Sequence, residues 1–340
     1  MPPPPTHCAP PSPVHLTIPA ATDVSVVRDH AIFGGCLRSE VPLPELPPIE
    51  GREPDWVFER ASAPLPHGTY LGDDRVDASL RVRCSKLPDG FRLAFDDTGT
   101  FDVVERGRRI AWTPGSTTAM PLVRADLLGG VFSVALHLQG LLCLHGSGVG
   151  VNGVAVAFLA NKGGGKSTLA TAMCAAGATL ITDDMLPVDP HAPVTAWPSM
   201  PAVRLLHDSA SHLRYASGQT HPATNKYHVN ELPSDQVEKS RLPLAAVYEL
   251  APVASGDGVP AVERIRVRGT DAVGTLLRHH RAGTAIGGVE SMNLVLRASD
   301  IVRSVPVFRL HVARDFDRLP DVVAQIGAWH TGVDALETNA

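Results

Sequence analysis

An apolar run, a glycine-rich loop and a helix opening on Lys-Ser-Thr follow one another near the middle of this chain, and that order restricts the fold more than anything else in it. Val154-Ala155-Val156-Ala157-Phe158-Leu159 reads as a buried strand, Ala160 to Gly165 as a loop, and the stretch from about Ser167 to Ala176 as a helix. Strand, glycine loop, Lys-Ser and helix together form the context of a phosphate-binding loop. The backbone N–H groups of Gly163, Gly164 and Gly165 can curl around an anion, and the helix N-terminus behind them adds unpaired donors and partial positive charge. Lys166 would carry a full charge to the β- and γ-phosphates. Ser167 would offer its hydroxyl to Mg²⁺, with Thr168 beside it in the binding set. One departure is visible: the first glycine of the G-x-x-x-x-G-K-[ST] pattern is replaced by Ala160, so the turn there must avoid a positive φ.

Seventeen residues after Lys166 stands Asp183-Asp184, preceded by a short strand reading over Ala178-Thr179-Leu180-Ile181-Thr182. Gly177 sits where a helix C-cap glycine belongs. A right-handed crossover makes the two strands parallel and puts the acid pair at a strand end, on the edge where ligands bind in open α/β sheets. The plain alternative for Asp-Asp is a solvated turn. His145 follows the apolar Gly140-Leu141-Leu142-Cys143-Leu144 and precedes Gly146, twenty-one residues before Lys166. A lone histidine after a strand is more often structural than catalytic.

His145-Gly146, the loop ending Gly165-Lys166-Ser167, and Asp183-Asp184 together resemble the HPr kinase/phosphorylase family and its relatives. The resemblance covers about residues 140 to 190. It is weaker at Phe33-Gly34-Gly35 to Leu46, similar to the opening of HPr kinase-like proteins of bacterial peptide-modification gene clusters, and at Val305 to Leu310 and Arg314-Asp315-Phe316, similar to their closing segment. The Arg-Gly signature that HPr kinases carry after the acid pair is missing; Val203-Arg204-Leu205-Leu206 stands there instead. The resemblance implies an α/β fold with a P-loop nucleotide core of the HPr kinase/PEP carboxykinase type, ATP and Mg²⁺ as cofactors, and a hydroxyl as phosphate acceptor. It assigns Asp183 as base and Asp184, with Ser167, as metal ligand, an order that can be reversed. It gives His145 an orienting role. PEP carboxykinase itself fits poorly, because the chain is short and that family's substrate-arginine and metal-ligand segments are not found.

The 340 residues suit one large or two modest domains. A net charge of −5 offers no basic footprint for nucleic acid. No apolar run of about 18 residues is evident, so no membrane span is expected. Five scattered cysteines, Cys8, Cys36, Cys84, Cys143 and Cys174, read as free thiols in a reducing, cytoplasmic setting rather than as a zinc site.

Residues 1–15, seven of them proline, read as a disordered tail. Residues 16–119 read as a β-rich N-terminal domain, 120–330 as the HPr kinase-like domain, and 331–340 as a flexible end. Met120 to Gln139 has helical spacing, and Tyr215 to Glu231 reads as a mobile loop. His279-His280 reads as a solvated helix end. Arg204 and Lys226, and less strongly Arg309 and Arg314, are candidates for holding phosphate or substrate; each is otherwise a surface charge. Two function classes remain. The first is a kinase acting on a hydroxyl, a serine of a protein or peptide such as a peptide natural-product precursor. The second is a regulator that binds ATP without transfer. A homo-oligomer is compatible with either.

Overall fold

The computed structural model describes residues 27–75, 81–115, 119–200, 203–213, 219–221, 226–229, 233, 235–256 and 258–331. The proline-rich tail, the 331–340 end beyond Thr331 and most of the Tyr215 to Glu231 loop lie outside these residues. The protein is a mixed α/β structure with two large sheets.

The first sheet takes β1 (Arg28–Ile32), β2 (Gly35–Ser39), β3 (Trp56–Arg60), β4 (Thr69–Arg75), β5 (Arg81–Leu87), β6 (Gly90–Phe95), β7 (Gly99–Val104) and β8 (Arg109–Pro114), in the order β1-β2-β3-β8-β7-β6-β5-β4. Period-two patterns in β5 and β6 bury one face. Phe33, in the turn after β1, meets Trp56 and Phe132 at ring-centroid distances of 5.8 and 5.2 Å, so an aromatic cluster joins this sheet to the helix that follows it.

That helix is not continuous. α1 (Met120–Asp126) passes through a π-helical turn, Leu127–Val131, into α2 (Phe132–Leu138). The apolar spacing holds throughout, but Gly129 and Gly130 weaken the regular ladder where it widens. These 19 residues are long and apolar enough to cross a membrane by length and composition alone, although Arg124 and Asp126 interrupt the apolar run. Their buried side chains, among them Val123, Leu127, Val131 and Phe132, belong to the core cluster shared with the first sheet.

The second sheet holds β9 (Leu142–Val151), β10 (Val154–Leu159), β11 (Thr179–Thr182), β12 (Met185–Asp189), β13 (Thr195–Ala196), β17 (Leu242–Val253), β18 (Val262–Val267) and β19 (Val307–Ala313). β10 lies between β9, antiparallel to it, and β17, parallel to it. β9 also pairs with β11 and β12, and β12 runs through β13 back to β17, closing a circuit of strands. β10 and β11 are both antiparallel to β9 and so point the same way, as a crossover requires, but β9 separates them. α3 (Lys166–Ala175) and α8 (Leu319–Ala328) cover one face of the sheet; α5 (Gly269–Arg278) and α7 (Ser291–Ser304) cover the other. A short α6 (Thr284–Val289) precedes α7. Between β13 and β17 lie α4 (His207–His212) and a small sheet of β14 (Val203–Leu205), β15 (Gln219–His221) and β16 (Lys226–Val229).

Candidate active site

β10 is buried from Ala155 to Leu159, which anchors the glycine loop at the sheet edge. Ala160 keeps a negative φ, while Gly163 and Gly165 adopt +80° and +90°. The replacement of the usual glycine by Ala160 has a local counterpart. A Cβ at Gly164 would stand 2.6 Å from the Ala160 Cβ, so alanine at 160 requires glycine at 164. Gly165 then caps α3 in the left-handed region, and Lys166 opens the helix. Lys166 is 8% exposed, and its ammonium donates to the Ala160 carbonyl over 2.8 Å, spanning the loop.

Asp183 and Asp184 occupy the bend between β11 and β12, beside the middle of β9. Side chains two apart on a strand share a face, and β9 uses this to hold both acids. Ser147 donates to Asp183 Oδ1 over 2.7 Å, and His145 Nδ1 lies 3.4 Å from Asp184 Oδ1. Asp183 is 6% exposed; its charge is one of the influences, after burial, that push the Cys174 thiol on α3 up to about 12. Asp184 is further held by Arg281, whose guanidinium sits 2.6 Å from Oδ2 and donates to the Asp184 carbonyl over 3.2 Å. Ser147 and Arg281 were both missed from sequence. The first had a signal, because it stands two residues from His145 on the same strand. The second had none, because 97 residues separate it from Asp184.

The glycine loop, His145 and the acid pair border one cavity of about 570 Å³. His145, Gly163, Gly164, Gly165, Lys166, Ser167, Thr168, Asp183 and Asp184 line its polar side. Leu250, Pro252, Val312 and Leu319 form an apolar wall, and Arg314 joins them at the rim. Arg309 is not part of it, and reaches towards Glu249 at 3.7 Å. The side chains of Arg204 and Lys226 lie outside the described residues.

The sequence reading of His279-His280 as solvated is corrected. His279 is 7% exposed, its carbonyl accepts from the His145 N–H over 2.6 Å, and its Nε2 lies 3.4 Å from Glu249. Burial lowers its pKa, with the Lys166 charge acting in the same direction. The helix end is buried because it docks on β9 beside the acid pair.

Among the described residues, no group of three or more His, Cys, Asp or Glu converges as a metal-binding set. The oxygen donors that border the cavity, Ser167 with the two carboxylates, suit a hard cation such as Mg²⁺, which commonly takes one or two carboxylates and completes its shell with water and phosphate oxygens.

No family model matches the chain, and no curated protein matches it. Among solved structures it has a weak likeness to the HPr(Ser) kinase/phosphatase from Coxiella burnetii, with 10% identity and a TM-score of 0.28, over 55% of this chain and 91% of that one.

Proposed function

We propose that the protein is an ATP- and Mg²⁺-dependent kinase that transfers the γ-phosphate to a hydroxyl, a serine of a protein or peptide. The observation that carries this reading is the shared cavity. A glycine loop with Lys166 and Ser167, an anion cradle by its backbone geometry, faces a buried aspartate held by a serine. The HPr kinase-like motifs of the sequence are consistent with it.

Phosphoryl transfer rests on positioning and charge neutralisation. The N–H groups of Gly163 to Ser167 and the Lys166 ammonium would hold the β- and γ-phosphates, and the apolar wall around Leu250, Pro252 and Val312 would take the base. Ser167 and Asp184 would hold Mg²⁺, which supplies charge neutralisation when bound. Asp183 would accept the proton of the acceptor hydroxyl as its oxygen bonds to phosphorus and the bridge to ADP breaks. Ser147 orients that carboxylate; Arg281 and His145 orient Asp184.

The decisive assay is transfer from labelled ATP to serine-containing peptides, with mass spectrometry locating the product. Asp183→Asn should retain Mg-ATP binding and lose transfer by about 10²- to 10⁴-fold. Lys166→Ala should lose most nucleotide affinity in calorimetry. Tight ATP binding by wild type with no transfer to any hydroxyl acceptor would instead establish the regulator reading.

A further inference from the structure

A second cavity, of about 520 Å³, opens where the first sheet meets the second. Asp55 and Trp56 line it from the start of β3, Arg106 and Arg108 from the turn between β7 and β8, Leu138 to Gly140 from the end of α2, and Trp197 and Arg241 from the segments flanking the second sheet. None of these residues belongs to the site described above.

Charge is its distinguishing property. The chain as a whole is acidic, yet three arginines face this cavity with one carboxylate, Asp55. That carboxylate is already engaged: it accepts from the Cys36 N–H over 2.9 Å and pairs with Arg52 at 3.3 Å. Elsewhere Arg38, Arg92, Arg109, Arg124 and Arg281 each meet an acid. Among the described residues, Arg106, Arg108 and Arg241 form no ion pair and donate no side-chain hydrogen bond to the protein, although the charges of Asp55 and Asp189 act on Arg241 from a distance. An oxyanion entering the cleft would meet the N–H groups of three guanidinium side chains that line it.

Arg241 is also held in position. Its guanidinium lies 3.4 Å from the centroid of the Trp197 ring, and its aliphatic stem runs beside Gly34, where a Cβ would stand 3.6 Å from Cγ and Nε. Stacking occupies the face of a guanidinium and leaves its in-plane N–H edge to grip an oxyanion. Arg241, like Arg106 and Arg108, stays exposed to solvent, and partial burial lowers its pKa against the raising influence of Asp55 and Asp189. The cavity volume falls in the range of small-molecule sites.

We propose that this cleft binds a small ligand through an oxyanion group, phosphate or carboxylate, gripped by Arg241 together with Arg106 and Arg108. Because its walls come from both sheets, an occupant ties the two layers together and raises the stability of the whole chain.

The test uses the full chain carrying Lys166→Ala, which takes the lysine charge from the first site and weakens its hold on anions. Calorimetric titrations with inorganic phosphate and, separately, with succinate are compared between this chain and the arginine variants, so that only binding lost with the arginines is assigned to the second site. At least one of the two should bind in the millimolar range or tighter and raise the melting temperature. Arg241→Ala should weaken that binding by about tenfold or more. The double variant Arg106→Ala/Arg108→Ala, on an exposed turn, should do the same and carries the test if Arg241→Ala does not fold. The anion that responds to the arginine variants names the source. Failure of both anions to bind, or binding that ignores the arginine variants, would overturn the proposal. Neither result bears on the kinase reading, which is tested on the unmodified loop.

Discussion

The Ser147 hydroxyl donates to Asp183 Oδ1 over 2.7 Å from a fully buried position on β9. Two residues earlier His145 approaches Asp184. One strand thus holds both members of the acid pair, and it is the strand that separates β10 from β11.

Ser147→Ala removes one hydrogen-bond donor from the buried carboxylate of Asp183. The expected cost is about 1–3 kcal/mol of unfolding free energy, measured by urea denaturation. Transfer should slow while Mg-ATP affinity stays within a few-fold, since Ser147 does not border the cavity. A variant as stable and as fast as wild type would remove Ser147 from the site.

Ala160 and Gly164 form a second testable pair. Gly164→Ala forces its Cβ to within 2.6 Å of the Ala160 Cβ and 3.0 Å of the Asn161 carbonyl. Overpacking of this kind costs about 1–3 kcal/mol and should distort the loop enough to weaken nucleotide binding. Ala160→Gly in the same chain should restore more than half of the loss. Strictly additive effects in the double-mutant cycle would show that the two side chains do not compete for space.

Asp126 gives the fold a pH signature. Burial pushes its carboxyl up from 3.8 to about 6, against the hydrogen bond from Thr98 Oγ1 at 2.6 Å. A raised carboxyl binds its proton more tightly in the folded state, so its contribution to stability falls as pH rises from about 4 to about 6 and stays low above that. Asp126→Asn lacks this dependence. The difference in unfolding free energy, wild type minus variant, should therefore drop by about 2–3 kcal/mol between pH 4 and pH 7. Parallel stability profiles would show that Asp126 is ionised in the fold.

How much of this was legible in the sequence follows from the range of the interactions. The strand, glycine loop and α3 were readable because each is local: a buried apolar run, glycines that permit positive φ, and a helical spacing. The acid pair at the end of β11 was readable for the same reason. The insertion of β9 between β10 and β11 was not, because strand order is decided by pairings that no local pattern encodes. The helical periodicity of Met120 to Leu138 was visible, but the π-turn at Leu127–Val131 was not, since the apolar spacing runs through it unbroken. His279 read as solvated because its burial comes from contacts with β9 and Glu249, distant in sequence. Arg281 left no trace, for its role exists only once the turn after α5 lies against β9, where its N–H donates to the Cys143 carbonyl over 2.9 Å.

Arg281 also supplies the sharpest test of the metal assignment. Its guanidinium lies 2.6 Å from Asp184 Oδ2, on the carboxylate proposed to hold Mg²⁺. Two cations sharing one carboxylate repel. At about 5 Å and an effective dielectric near 20, the repulsion between a guanidinium and a divalent ion is about 7 kcal/mol before solvent screening. Removing the guanidinium should therefore favour the metal. In Arg281→Ala the Mg²⁺ concentration that half-saturates nucleotide binding should fall by about tenfold, while transfer slows because Asp184 loses the clamp on its side chain and carbonyl. Asp184→Asn should move the Mg²⁺ requirement the opposite way. Arg281→Lys keeps a charge but not the planar fork, and should lie between Arg281→Ala and wild type. Fluorescent-ATP titration at a series of Mg²⁺ concentrations separates these cases. If Arg281→Ala needs more Mg²⁺ than wild type, the guanidinium and the metal do not compete. The clamp then positions Asp184 for the metal, whereas an unchanged Mg²⁺ requirement in Asp184→Asn would pass the metal role to Asp183.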